Sequence, residues 1–212
     1  MTPEVLALYA IFSFFYIISP GPAIFLAISN GMTRDMKTVA LSSLGNIVGL
    51  LLLSSISIVG LGAIITSSAT LFMLVKLTGA IYLIYLGVRQ FRNSKAVVLE
   101  NFRQGEDKQR QASSFFNEGF LLAATNPKPI LFFTAIFPQF LDQHNAIAPQ
   151  FLLMTAIFMF LSFVSLFSYG LISKSTRRLF SSQSAMAWFH RITGGIFIVM
   201  GLGLTQLKIS QN

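Results

Sequence analysis

No cysteine occurs in the chain. That excludes a disulfide framework, a thiolate metal site and a cysteine nucleophile. Charge is nearly as scarce: 10% of residues are Asp, Glu, Lys or Arg, against about 25% in a soluble domain. Seven residues of 212 are acidic. There is no Gly-x-x-x-x-Gly-Lys-Ser/Thr loop, so direct ATP drive has no sequence basis. No His-Glu-x-x-His helix occurs, and the two histidines, His144 and His190, fall at opposite ends of apolar runs, too far apart for one metal site. No serine–histidine pair shares an apolar run. The expectation is a protein that is not an enzyme and that carries no cofactor or metal.

Hydrophobic residues make up 54% of the chain, with 22 phenylalanines, and the net charge is +8. The basic residues lie between apolar runs. That is the pattern of cytoplasmic loops facing anionic membrane lipid, not of a nucleic-acid binder. A bilayer core about 30 Å thick takes roughly 20 mostly apolar residues per helix. Six stretches qualify, at about 5–29, 40–65, 69–88, 115–137, 150–172 and 189–207. The amino terminus has no basic segment and no small-residue cleavage site before Pro20, so the first stretch reads as a retained span. The chain is expected to be a single transmembrane domain over 1–212, with halves at 1–88 and 115–212 and a linker at 89–114.

Loop charges set an orientation. The first loop carries Arg34 and Lys37, the third Arg89, Arg92, Lys95, Arg103, Lys108 and Arg110, and the fifth Lys174, Arg177 and Arg178. The second and fourth loops carry no lysine or arginine, and the tail has Lys208 alone. The positive-inside rule then puts both termini in the periplasm of a multi-pass protein in a bacterial inner membrane.

The halves resemble each other. Ser19-Pro20-Gly21-Pro22 in the first helix matches Asn126-Pro127-Lys128-Pro129 in the fourth. Lys76-Leu77-Thr78-Gly79-Ala80-Ile81-Tyr82-Leu83 in the third matches Arg191-Ile192-Thr193-Gly194-Gly195-Ile196-Phe197-Ile198 in the sixth. Chance can repeat a short motif in an apolar chain, but two independent motifs fall in corresponding helices. Three helices cross a membrane an odd number of times, so the second copy runs in the opposite sense. The expected fold is an all-α membrane protein of six transmembrane helices, two inverted three-helix repeats with broken first and fourth helices.

Each Pro-x-Pro removes backbone donors and frees carbonyls one turn back. At membrane depth such backbone survives only inside protein or beside a water-filled cavity. Paired breaks in matching helices point to a transport site, whereas a single break would read as a packing kink. Lys128 lies deep in the fourth span, where an exposed lysine costs roughly 2.5–3.5 kcal/mol. It suits the carboxylate of an amino acid, or else it satisfies the carbonyls of a broken helix. Asn126 offers donors and an acceptor. Lys76 contacts substrate, or serves as a gate or an anchor that snorkels outward. Asn46, between Gly45 and Gly49, either bonds across a close helix contact or points into the cavity. The candidate substrate-binding set is Pro20, Gly21, Pro22, Asn46, Lys76, Asn126, Pro127 and Lys128. No span has an acidic residue in its central turns, which argues against a metal ion or a cationic amino acid as substrate.

These motifs are recognisable together. Ser19-Pro20-Gly21-Pro22, Lys76 through Gly87, Thr125-Asn126-Pro127-Lys128-Pro129-Ile130 and Phe137-Pro138-Gln139-Phe140 span both halves. The chain resembles the LysE/RhtB family of amino-acid exporters, nearest its homoserine, homoserine-lactone and threonine branch. The resemblance implies secondary export of neutral amino acids or their derivatives, typically driven by protons. It also implies an acidic residue at the position of Asn46 in relatives that handle cationic amino acids. The competing class is a channel or a transporter of another small solute or ion. An enzyme acting on lipid lacks a visible constellation. The glycine-rich third and sixth helices pack within one chain or between copies of a homo-oligomer.

Overall fold

The computed structural model describes residues 1–67, 69–93, 111–142, 145–175 and 183–206. His144, Lys95, Arg103, Lys108, Arg110, Arg177, Arg178 and Lys208 lie outside the described residues, as does the greater part of the expected linker. Every regular element among the described residues is helical. In chain order they are α1 (Pro3–Ile18), α2 (Pro22–Thr33), α3 (Met36–Ser67), α4 (Ala69–Asn93), α5 (Ala112–Thr125) and α6 (Pro127–Leu131). A π-helical turn (Phe132–Ile136) and a 3₁₀ turn (Phe137–Phe140) follow, then α7 (Ile147–Ser175) and α8 (Gln183–Gln206).

Two helices, α3 and α7, are each long and apolar enough to cross a membrane. Two bent pairs meet the same test when joined: α1 with α2, bent by 59°, and Ala112–Thr125 with Pro127–Phe140, bent by 47°. The spans expected at 5–29 and 115–137 are thus each broken at their Pro-x-Pro. Helix α4 runs to Asn93, so Arg89 and Arg92 belong to it and not to a linker. The apolar side chains Leu74, Leu77, Ile81, Tyr85 and Val88 are exposed on α4, at helical spacing. A stripe of that kind is a lipid-facing surface and accounts for the shortage of charge.

Both breaks follow from proline's effect on its predecessor, which is pushed into extended backbone. In the first motif Ser19 (φ −64°, ψ 136°) and Gly21 (φ −163°, ψ 177°) are both extended. Helix therefore stops at Ile18 and resumes at Pro22. In the second motif only Asn126 is extended (φ −74°, ψ 120°), and its side chain accepts from the Lys128 amide at 3.0 Å. That cap starts α6 one residue later, with Pro127 at a first-turn position that needs no donor.

Glycines allow the closest helix contacts. A Cβ on Gly45 would lie 1.9 Å from the Phe116 carbonyl oxygen, and one on Gly119 would lie 1.9 Å from that of Ser42. With Gly49 beside Phe120 and Ala123, these contacts run in the same chain direction, so α3 and α5 are parallel. Tyr9 donates to the Met154 carbonyl at 3.0 Å and Tyr169 to that of Ile18 at 2.9 Å, which makes α1 and α7 parallel as well. Gly87 meets Gly194 while Ala80 and Ile84 meet Gly201, so α4 and α8 are antiparallel.

Asp35 caps α3. Its Oδ1 accepts from the Thr38 amide at 2.8 Å and the Thr38 hydroxyl at 2.6 Å. The Thr38 hydroxyl, then the Thr38 amide, hold the Asp35 carboxyl below its ordinary value of 3.8. A depressed carboxylate contributes stability that is present above that ordinary value and lost as pH falls below it. Asp35→Ala is expected to cost about 0.5–2 kcal/mol. Thermal unfolding in detergent checks this, and the gap between the two proteins should narrow in acid. An equal gap at all pH values would show that the carboxylate is not the capping group.

Candidate functional site

The first break leaves carbonyls without helical partners, and side chains from three other helices reach three successive ones. Tyr169 on α7 donates to Ile18 at 2.9 Å. Lys128 on α6 donates through Nζ to Ser19 at 2.8 Å. Gln90 on α4 donates to Pro20 at 3.4 Å. The Ser19 hydroxyl, fully buried, donates to the Tyr16 carbonyl at 2.9 Å and accepts from Lys128 Nζ at 2.6 Å. In return the Tyr16 hydroxyl donates to the Lys128 carbonyl. The second break thus supplies partners to the first, while the Tyr16 hydroxyl adds a second bond to a Lys128 carbonyl that already accepts from the Phe132 amide.

Lys128 sits at the junction. Its stem passes Gly21, where an added Cβ would lie 3.6 Å from Cδ. Its ammonium lies 5.0 Å from the centre of the Tyr16 ring, over its face. An ammonium has three donors, and the Ser19 carbonyl and hydroxyl take two of them.

Beside this junction lies a cavity of about 50 Å³, lined in part by Tyr16, Ser19, Asn46, Asn126, Lys128 and Ser162. None of its lining residues is a carboxylate. At ~10–15 Å³ per water it has room for about three to five waters.

Of the residues singled out in the sequence, Gly21, Asn46, Asn126 and Lys128 line this cavity. Asn46 is 4% exposed, and its backbone also touches the α5 contact at Gly119. Asn46 thus sits in the close α3–α5 contact and also lines the cavity. Pro20, Pro22 and Pro127 shape the backbone and are not among the lining residues. Lys76 lies on α4, and its side chain is outside the described residues. The sequence reading missed Tyr16, Gln90, Ser162 and Tyr169, and it gave Ser19 no role beyond its motif. Polar-tipped tyrosines inside apolar spans were the available signal, since a buried hydroxyl needs a partner.

Helices with apolar outer faces, two of them broken beside a buried cation, define a membrane protein with a polar site inside its helical body. Residues 14–207 match the LysE type translocator family, and the chain belongs to that family, whose members are transporters. It is 29% identical over 204 residues to an uncharacterized membrane protein of Vibrio cholerae, covering 94% of this chain and 96% of that one. It is 26% identical over 208 residues to the homoserine/homoserine lactone efflux protein of Salmonella typhi, covering 98% and 99%. It is also 31% identical over 134 residues to the leucine efflux protein of Klebsiella pneumoniae, covering 63% and 62%. No solved structure matches the chain.

Proposed function

We propose that this protein is a secondary exporter of neutral amino acids or their derivatives, homoserine, homoserine lactone, threonine or leucine among them, driven by the proton gradient. The observation that carries the reading is the Lys128 ammonium, held at the meeting of two broken helices in a cavity whose lining has no carboxylate. A zwitterion offers its carboxylate to that ammonium, and the Ser19 and Asn126 side chains can take its amino group. A cationic side chain would find no counter-charge there. The names of the Salmonella and Klebsiella relatives point the same way.

The architecture we propose is six spans in two inverted repeats, in an inner membrane with both termini periplasmic. Three features support it. The breaks lie 107 residues apart, at Pro20 and Pro127. The first span packs parallel to the fifth, and the fourth packs parallel to the second. An operation that exchanges the halves converts one of those pairs into the other, and it leaves the antiparallel α4–α8 pair paired with itself.

Two assays test the reading. Cells lacking or overproducing the protein are challenged with single amino acids, and secreted pools are compared. Overproduction should raise external homoserine, threonine or leucine and leave lysine and arginine unchanged. In inverted vesicles, uptake of the responding amino acid should saturate and should collapse with a protonophore. Secreted pools that ignore the protein, or uptake that is linear in concentration, as in a channel, would refute the proposal.

A further inference from the structure

Gln90, which holds the third freed carbonyl, leads to a group the site has not used. It donates through Nε2 to Pro20 and presents Oε1 to Nδ1 of His190 on α8. Because Oε1 can only accept, Nδ1 carries a proton in this arrangement. The neutral ring then has its lone pair on Nε2. That atom is buried and has no partner, and the residue is 3% exposed. Buried polar atoms without partners are uncommon, and one on a ring that titrates near neutral pH calls for a ligand.

We propose that His190 Nε2 is a proton-binding site that controls the first break through Gln90. Neutral His190 holds Gln90, and Gln90 holds the Pro20 carbonyl, so the break is fixed. A proton on Nε2 makes a buried imidazolium, which needs an acceptor or a counter-charge. Two elements pack appreciably against α8. Helix α4 carries Lys76, Tyr82, Tyr85, Arg89 and Arg92, and α1 carries Glu4, Tyr9 and Tyr16. On α8 itself Arg191 is adjacent, and Lys128 stands behind Ser19. The one carboxylate in this set, Glu4, is in the first turn of α1, at the end remote from the break. Among the described residues of these elements the imidazolium has no carboxylate beside it, and water is the remaining acceptor. Water reaches Nε2 only if α8 shifts from the break, and that shift draws Gln90 from Pro20. The proposal rests on the exporter reading only for its purpose, which would be to make solute access to the cavity depend on a proton.

The test needs no transported solute, so its failure and the failure of the export assays are separate results. The chain has no cysteine, so Ala23→Cys, at a cavity-lining position, places one thiol in the full-length protein. Its rate of reaction with a methanethiosulfonate reagent is measured from about pH 8.5 to about pH 5.5, a range spanning ordinary histidine titration. The same is done with His190→Gln added, whose amide imitates the neutral ring. The ratio of the two rates cancels the thiol's own ionisation. It should be near one at the alkaline end and rise about fivefold or more in acid, the low end of ordinary site-to-site coupling. Gln90→Met should label fast at every pH, because it severs the link. A second measurement leaves residue 190 intact. In His144→Gln, His190 is the remaining histidine, and its ring ¹⁵N signals should titrate with the midpoint of the labelling curve. A ratio that is flat with pH, slow labelling of Gln90→Met, or a ring that does not titrate with labelling would overturn the proposal.

Discussion

Lys128→Ala is expected to lower amino-acid export by on the order of 100-fold while the protein still reaches the membrane. Truncating one partner of a buried, hydrogen-bonded charge pair costs roughly 2–5 kcal/mol of binding, and each ~1.4 kcal/mol is a factor of ten. The fold should lose less. The Ser19 carbonyl and hydroxyl are left without their cation, a penalty of about 1–3 kcal/mol for an unmet buried group. Removal of a charge from the membrane interior offsets part of it. Lys128→Arg should rescue poorly, because a planar fork cannot follow the path of the lysine stem past Gly21. The check is initial export rate per unit of membrane-inserted protein. Undiminished export by Lys128→Ala at equal abundance would mean that the ammonium only caps the first break.

Gly45→Ala should be among the most destabilising single-methyl changes in the molecule. Its Cβ would fall 1.9 Å from the Phe116 carbonyl oxygen, and backbone cannot rotate out of the way as a side chain can. Overpacking ordinarily costs about 1–3 kcal/mol, and a clash with rigid backbone belongs at or above the top of that range. Gly119→Ala meets Ser42 at the same distance from the opposite helix and should behave alike. Gly60, on the same helix as Gly45, is the control, because nothing lies within 4 Å of its added Cβ. There alanine should stabilise by about 0.5–1 kcal/mol through helix propensity alone. Thermal unfolding of the three purified variants decides the matter. Equal midpoints for Gly45→Ala and Gly60→Ala would mean that α3 and α5 do not approach so closely.

The two breaks were legible because proline acts locally: it fixes its own φ and dictates that of its predecessor, whatever the tertiary context. Lys128 was legible for the complementary reason, since a charge that deep must have a partner. The partners were not legible. Tyr169, Lys128 and Gln90 converge on Ile18, Ser19 and Pro20 from helices 70 to 151 residues away in sequence. No periodicity records a contact of that range. The irregular stretch after α6 was also hidden. The span expected at 115–137 continued as helix past Pro129, yet Phe132–Ile136 winds as a π turn and Phe137–Phe140 as a 3₁₀ turn. Pro138 supplies part of the reason, having no N–H for helical pairing. Helix ends moved as well: α3 begins at Met36 because Asp35 caps it, whereas hydropathy placed the start near residue 40.

That irregular stretch has a consequence for ion leakage. Phe132, Phe133, Phe137 and Phe140 interlock with Tyr9, Phe12, Tyr16 and Phe158, with ring centres as close as 4.4 Å. Beyond the break, the core around α2 is thinner, made of Ile24, Ala27, Ile28 and Leu166. One flank of the cavity thus carries a thick aromatic stopper and the other a smaller, mostly aliphatic cluster with Tyr169 at its side. Rings packed this closely leave little room for a file of water, so proton leakage through the resting protein is expected to be barred on the aromatic side.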